Sequence, residues 1–405
     1  MLIDLDRLMR ERQLDALIVP MHEAMHPSFR WLTRGAKVTR GYAVKLASHD
    51  PILISYPMER EEAAATGLAT KLIHDFGYDG IFKRAPNAVA AYAEFFDVVL
   101  RDLGAASSVT ASVAIVGNLP FPLYLGIAEG MEALGWRVWR GGDDLVQLAR
   151  KRKQPWEIEA IRSVGERTEQ VVDRVRELLR SANIADGHLV LDGNPLVLGD
   201  LKQLVSREIS RLGMLEDHET ILSQGHDAGI PHSRGDANAP VRASVPIVLD
   251  IFPADRETGY FFDLTRTFCV GPIPDDLRQV HADVLEAFDL ARDEMHAGTK
   301  ASSYQTLVCD FFEQRGYATT RSNPATQEGY VHSLGHGVGL DVHEKPSFLL
   351  SPSNVDEIEI GDIVTIEPGL YFPNREIGVR IEDTLVIGED GRPETLCRSD
   401  RGLAP

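Results

Sequence analysis

Four apolar, strand-forming stretches in the second half of this chain carry carboxylates that no ordinary core can hold. Asp250 closes the run Ser-Val-Pro-Ile-Val-Leu-Asp, and Asp263 opens Asp-Leu-Thr-Arg-Thr-Phe. Glu367 stands in Ile-Glu-Pro-Gly-Leu-Tyr and Glu382 in Val-Arg-Ile-Glu-Asp. An unpaired charge in such a setting costs several kcal/mol. A fold that buries these residues must gather them around something cationic. A histidine, His336, falls between the two pairs in His-Ser-Leu-Gly-His-Gly-Val-Gly. Four carboxylates and one imidazole suit a pair of divalent ions, because hard oxygen ligands can bridge two metals while the imidazole adds borderline character. Such a pair turns water into a nucleophile at neutral pH and stabilises an oxyanion. Hydrolysis is the reaction class this points to.

The numbering supports that geometry. Segments 244–253 and 260–270 are rich in Val, Ile, Phe and Thr, as strands are, and the Ala-Asp-Arg-Glu-Thr-Gly between them is turn-like. A hairpin centred between Arg256 and Glu257 sets Asp263 opposite Asp250, with Cβ atoms roughly 4.5–5.5 Å apart on one face. Segments 362–372 and 377–387 repeat the pattern around Phe-Pro-Asn-Arg-Glu. A turn centred between Asn374 and Arg375 opposes Glu367 and Glu382. Plainer readings compete at each position. An Asp at a strand end is commonly a turn or cap residue. Arg380, two residues before Glu382 and on the same strand face, offers a structural ion pair to one of the carboxylates. His332 and His336 could be surface residues, although Gly335, Gly337 and Gly339 around them suggest backbone drawn close to something.

With these residues in order, the chain resembles the pita-bread metallopeptidases: Xaa-Pro aminopeptidases, prolidases and the shorter methionine aminopeptidases. The resemblance is strong over roughly 150–405 and weak before that. It implies that Asp250 binds one metal alone, that Asp263 and Glu382 bridge both, and that His336 and Glu367 hold the other. It also supplies counterparts for substrate-side histidines. His343, in Leu-Asp-Val-His-Glu, follows His336 at the family's interval, His232 lies in Gly-Ile-Pro-His-Ser, and His332 matches a third active-site histidine of the proline-specific members. Two departures stand out. Asp250 is followed by Ile-Phe-Pro where the family commonly has a Gly two residues on, and the loop to Asp263 is about two residues longer. An even-numbered insertion preserves facing, since strand side chains alternate with period two. The stretch Leu191-Asp-Gly-Asn-Pro-Leu-Val-Leu-Gly199 reads as an insertion between helices.

Composition bounds the rest. At 405 residues the chain has length for two or three domains, and 43% hydrophobic and 25% charged residues are ordinary for a globular protein. A formal charge of −19 argues against nonspecific binding to nucleic acid or to anionic membranes. Cys269, Cys309 and Cys397 are too few for a disulfide scaffold. Met-Leu-Ile-Asp-Leu-Asp-Arg-Leu lacks the build of a signal peptide, and no run reaches the roughly 20 apolar residues of a membrane span, so the cytoplasm is the expected location.

The expected fold is an α/β N-terminal domain over 1–150, of the creatinase/prolidase type by resemblance, followed by an α+β pita-bread catalytic domain over 151–405. In the first, apolar runs at 16–20, 52–55 and 111–117 alternate with helical stretches at 88–103 and 122–134. No Gly-rich dinucleotide loop follows a strand there. The basic run Arg150-Lys-Arg-Lys153 reads as a solvated linker, and Pro155 opens a helix with Ile158, Ile161, Val164, Val171, Val175, Leu178 and Leu179 at helical spacing. The second is an antiparallel sheet flanked by helices, and its two acidic hairpins hint at a pseudo-twofold.

The function expected from all this is a dinuclear-metal exopeptidase acting on proline-containing peptides. In that role Glu367 takes the proton of the water and shuttles it, and His343 stabilises the oxyanion. His232 orients the substrate amide, His332 lines the pocket beyond the scissile bond, and Thr265 and Arg380 support the ligands from behind. Xaa-Pro aminopeptidase is the first expectation and Xaa-Pro dipeptidase the alternative. A dipeptidase would need a group for the free carboxylate, and Arg30, Arg34, Arg40 and Arg375 are candidates without a placement. Manganese is the expected metal, with cobalt, zinc and iron compatible, and the resemblance favours a homodimer. Two other readings are a silent pita-bread binding protein, which should have lost ligands, and a metal-free hydrolase like the creatine-cleaving members. The retained acids argue against the latter, because four converging carboxylates without ions repel one another.

Overall fold

Continuous apolar runs in the first third build one mixed sheet. The computed structural model describes residues 2–21, 26–105, 111–142 and 144–405. The chain divides into two units, Met1–Arg150 and Lys151–Pro405. In the first, β1 (Ala16–Met21), β2 (Gly41–Leu46), β3 (Ile52–Ser55), β4 (Ala69–Leu72), β5 (Ser112–Ile115) and β6 (Arg137–Val138) lie in the order β4-β3-β2-β1-β5-β6. β1, β5 and β6 are parallel, whereas β2 runs antiparallel to both β1 and β3. Ala16 and Ile18 of β1 face a cluster with Phe95, Phe96 and Met131, while Leu17 and Val19 face Leu5, Leu8 and Phe29. Both faces of the sheet are covered around its middle strands, which is why β1, β3 and β5 read as apolar runs. The helices Ala88–Asp102 and Phe121–Ala133 supply much of the first cover.

The second unit repeats a plan of two helices followed by antiparallel strands. Pro155–Ser181 opens it, with Pro155 in the first turn and the Gln154 N–H donating to Glu157 Oε2 at 2.8 Å. Its stripe of Ile161, Val164, Val171, Val175 and Leu179 is fully buried. The next strands, β7 (Asn183–Ala185), β8 (His188–Leu191) and β9 (Asn194–Pro195), form a small antiparallel sheet. The 191–199 segment thus supplies a hairpin and the start of the helix Leu198–Arg211. After β10 (Met214–Leu215) come β11 (Ile221–Gln224), β12 (Ile247–Ile251), β13 (Ala254–Asp255) and β14 (Leu264–Phe268). β11, β12 and β14 form one sheet, and β10 pairs with β13.

The second half begins with the helices Asp275–Glu294 and Ala301–Gln314. Then follow β15 (His336–Gly337), β16 (Glu344–Ser347), β17 (Ile363–Ile366), β18 (Gly369–Phe372), β19 (Ile377–Arg380), β20 (Asp383–Ile387) and β21 (Pro393–Thr395). Five of them are ordered β16-β15-β17-β20-β21, and β18 pairs with β19. Val284, Phe288 and Phe312 of the helices pack with Val364, Ile366, Val379 and Leu385 of these strands. An antiparallel bridge between Thr265 and Glu382 ties the two halves together.

Two expectations need correction. The first acidic hairpin is shifted: Asp250 pairs with Thr265, not Asp263. The cause is the turn, where Asp255 Oδ1 accepts the backbone N–H of Glu257 and Thr258 and the Thr258 hydroxyl, moving the centre one residue on. Because the offset is two, Asp263 keeps the face of Asp250. The basic run is also not a solvated linker. Lys153 is 4% exposed and ion-paired to Glu344, and Lys151 lies against Glu359 and Asp362. Among the described residues no helix is long and apolar enough to cross a membrane, and all three cysteines are buried free thiols.

Candidate metal centre

Three of the five predicted ligands sit just outside the end of a strand. Asp250 lies within β12, and Asp263 immediately precedes β14. Glu367 follows β17, and Glu382 precedes β20. The ladder pairs Ile366 with Asp383 on one side of that break and Gly369 with Arg380 on the other, so the register opposes Glu367 and Glu382 as the sequence predicts. His336 arrives on β15, drawn into the sheet by its glycine neighbours. A Cβ on Gly335 would collide with the carbonyl oxygen of Thr365, and one on Gly337 with that of Lys345.

Asp263, His336 and Glu382 meet, with ligand atoms all within 4.8 Å of one another. His336 Nε2 lies 3.7 Å from Asp263 Oδ2 and 3.5 Å from Glu367 Oε1. Asp263 Oδ1 and Glu382 Oε1 are buried and have no hydrogen-bond partner among the described residues. Buried carboxylate oxygens are seldom left so. The chemistry of this donor set, with two orphaned buried oxygens, fits a divalent cation. Asp250 is held differently: its carboxylate forms an ion pair with Arg380, whose side chain is 3% exposed. The structural ion pair that Arg380 could offer one of the acids is therefore realised on Asp250, and it leaves the Asp263–His336–Glu382 group free to gather.

Electrostatics agree with that arrangement. Burial, with the charges of Asp250 and Glu367, raises the Asp263 carboxyl well above its usual range. Burial, with the charges of Asp263, Glu367 and Asp250, raises Glu382 likewise. Burial pushes Glu367 up to about 8 against the pull of Arg380. Burial also lowers His336 to about 3, helped by His343, and lowers His332 to about 3, helped by Arg380. Both imidazoles are thus neutral at pH 7, which is the metal-ligating form. Their short approaches to carboxylates are not ion pairs.

A hydrogen-bonded lattice supports the acids. Thr265 Oγ1 donates to Glu382 Oε2 at 2.7 Å and accepts from Arg380 Nε at 3.1 Å. The Arg380 guanidinium also reaches the Tyr371 hydroxyl at 2.9 Å and the Pro231 carbonyl at 3.3 Å. The latter contact fixes the residue before His232. His332 Nε2 lies 2.9 Å from the Tyr371 hydroxyl, and its Nδ1 3.8 Å from Glu367 Oε2. The ring of His343 stands 4.3 Å from that of His336. Thr365 Oγ1 accepts the His336 N–H at 3.1 Å. Tyr371 is not among the residues the sequence singles out. Its signal is there nonetheless: it stands four positions after Glu367, on the same face of an alternating segment. Arg375 does not join the group; it pairs with Asp276 on the surface.

Residues 159–389 match the sequence model of metallopeptidase family M24, and the chain belongs to that family. Its fold is the pita-bread fold. The chain is 29% identical over 238 residues to the Xaa-Pro dipeptidase of Pyrococcus furiosus, a match covering 57% of this chain and 63% of that one. It is 29% identical over 293 residues to the probable dipeptidase PepE of Mycobacterium tuberculosis, covering 72% of this chain and 68% of the relative. The solved Xaa-Pro dipeptidase of Bacillus anthracis superposes with a TM-score of 0.76 at 21% identity, over 99% of this chain and 98% of that one. That last likeness is one of fold.

Proposed function

We propose that this chain is a two-metal exopeptidase that splits Xaa-Pro dipeptides. The observation that carries the reading is the meeting of Asp263, His336 and Glu382 around two orphaned carboxylate oxygens, on the frame of a metallopeptidase family. Asp263 and Glu382 would be shared by both ions, His336 and Glu367 would hold one, and Asp250 the other. Bound divalent ions, with manganese the first expectation and cobalt, zinc or iron also compatible, would supply an activated water and polarise the scissile carbonyl. Glu367, 3.5 Å from His336 Nε2, would accept a proton and pass it to the leaving proline nitrogen. His343 donates to the carbonyl oxygen as it gains charge. His232 and His332 flank the peptide, His332 being oriented by the Tyr371 hydroxyl. Arg380 holds Asp250 and, through Thr265, Glu382.

The sequence by itself puts Xaa-Pro aminopeptidase first. The names of the relatives matched over the catalytic region favour the dipeptidase instead. A cytoplasmic homodimer belongs to the same reading, on the family resemblance. The test compares rates, with metal added, on an Xaa-Pro dipeptide, the same peptide extended by a few residues, and a dipeptide lacking proline. Cleavage confined to the Xaa-Pro dipeptide is expected. Equal cleavage of the extended peptide would restore the aminopeptidase, and equal cleavage of the control would remove proline specificity. Metal binding without any cleavage would leave a silent binding protein.

A further inference from the structure

Behind the metal centre lies a buried ion pair that the proposed chemistry does not use. Lys153 Nζ stands 2.8 Å from Glu344 Oε2, and the two side chains are 1% and 0% exposed. The other oxygen of the carboxylate, Oε1, accepts the backbone N–H of Leu340 at 2.8 Å and of Asp341 at 3.0 Å. The side chain of Glu344 thereby closes the loop that begins at Leu340, and His343 lies inside it. A Cβ on Gly339 would collide with the Glu344 carboxylate, so the incoming backbone is pressed against it. On the opposite side Lys153 is fixed by its own backbone. Its N–H donates to the Gly361 carbonyl at 2.8 Å, and Nζ also reaches the Lys151 carbonyl at 3.1 Å.

A buried ion pair is a poor stability device, because desolvating both charges offsets most of their attraction. What this one supplies is direction. The ammonium holds one carboxylate oxygen, two amides hold the other, and the loop between them has little freedom left. We propose that Lys153 and Glu344 are positioning residues for His343, setting its imidazole where it can meet the substrate carbonyl. This rests on the role given to His343 above.

The test is a set of variants read two ways. Lys153→Met should lower kcat on an Xaa-Pro dipeptide by about 10–100-fold, as displaced catalytic groups do, with KM within about twofold and bound metal unchanged. Lys153→Met/Glu344→Gln should regain most of that loss, because the amide oxygen can accept both N–H groups without needing a cation. In a His343→Ala background, Lys153→Met should change kcat by less than about twofold, since the group it acts through is gone. The second reading needs no turnover. The imidazole NMR signals of His343 in metal-free protein, assigned by their loss in His343→Ala, should shift or broaden in Lys153→Met and return in the double variant. If Lys153→Met does not fold, Lys153→Arg, which keeps the charge but changes its geometry, replaces it in the same cycle. Equal losses of kcat with and without His343, or undisturbed imidazole signals, would overturn the proposal. Failure to cleave peptides with the imidazole response intact would instead sink the assigned chemistry alone.

Discussion

Arg380 and Asp250 form a buried ion pair at the edge of the acidic cluster, with side chains 3% and 10% exposed. The guanidinium works against repulsion among the carboxylates, and its Nε and Nη1 are committed to Thr265 and Tyr371. Arg380→Met removes the charge but keeps much of the bulk. Losing one partner of a buried pair costs about 3–5 kcal/mol. Metal-free protein should lose stability on that scale in urea unfolding, and added metal should restore part of it.

Asp263→Asn removes charge from the centre of the cluster. Metal affinity measured by calorimetry should fall, and turnover should be lost. The metal-free variant should unfold at an equal or higher urea concentration than the parent, because mutual repulsion among buried carboxylates is relieved. Full activity after exhaustive chelation would refute the metal reading.

His343→Ala separates transition-state from ground-state binding. Loss of one oxyanion donor costs about 10²–10³-fold in kcat, with little change in KM. Metal content should be unchanged. A variant that loses an ion would place His343 among the ligands.

His281 gives a pH dependence remote from the centre. Its Nε2 lies 2.8 Å from the Arg401 carbonyl, and burial lowers its pKa below the usual 6.5 against the pull of that carbonyl and of Asp400. The unfolded chain therefore takes up this proton first as pH falls. The stability it contributes is present above the unfolded value and drains away below it. His281→Gln cannot titrate but can still donate to the carbonyl. Between about pH 7 and pH 5, the urea midpoint of the variant should fall less than that of the parent.

What could be read from the sequence was what short-range pattern encodes. The acidic residues on β-branched runs announced the cluster, and the Asn374–Arg375 turn gave the second hairpin its register. The first hairpin is displaced because the Asp255 side chain gathers Glu257 and Thr258 into a wider turn, a choice made by hydrogen bonds that spacing does not reveal. The burial of Lys153 escapes the sequence for a different reason. Its buried partner, Glu344, lies 191 residues away, and no local pattern could pair them.

The seam between the halves has a consequence for the growing chain. Thr265 bonds to Glu382 across 117 residues, and Asp250 finds Arg380 across 130. Until those last strands leave the ribosome, the first hairpin presents Asp250 and Asp263 on one face with no cation from its later partners. Its acidic face must stay in water, since burying it early would cost several kcal/mol. The contacts that cover this acidic face thus come from strands made more than a hundred residues later.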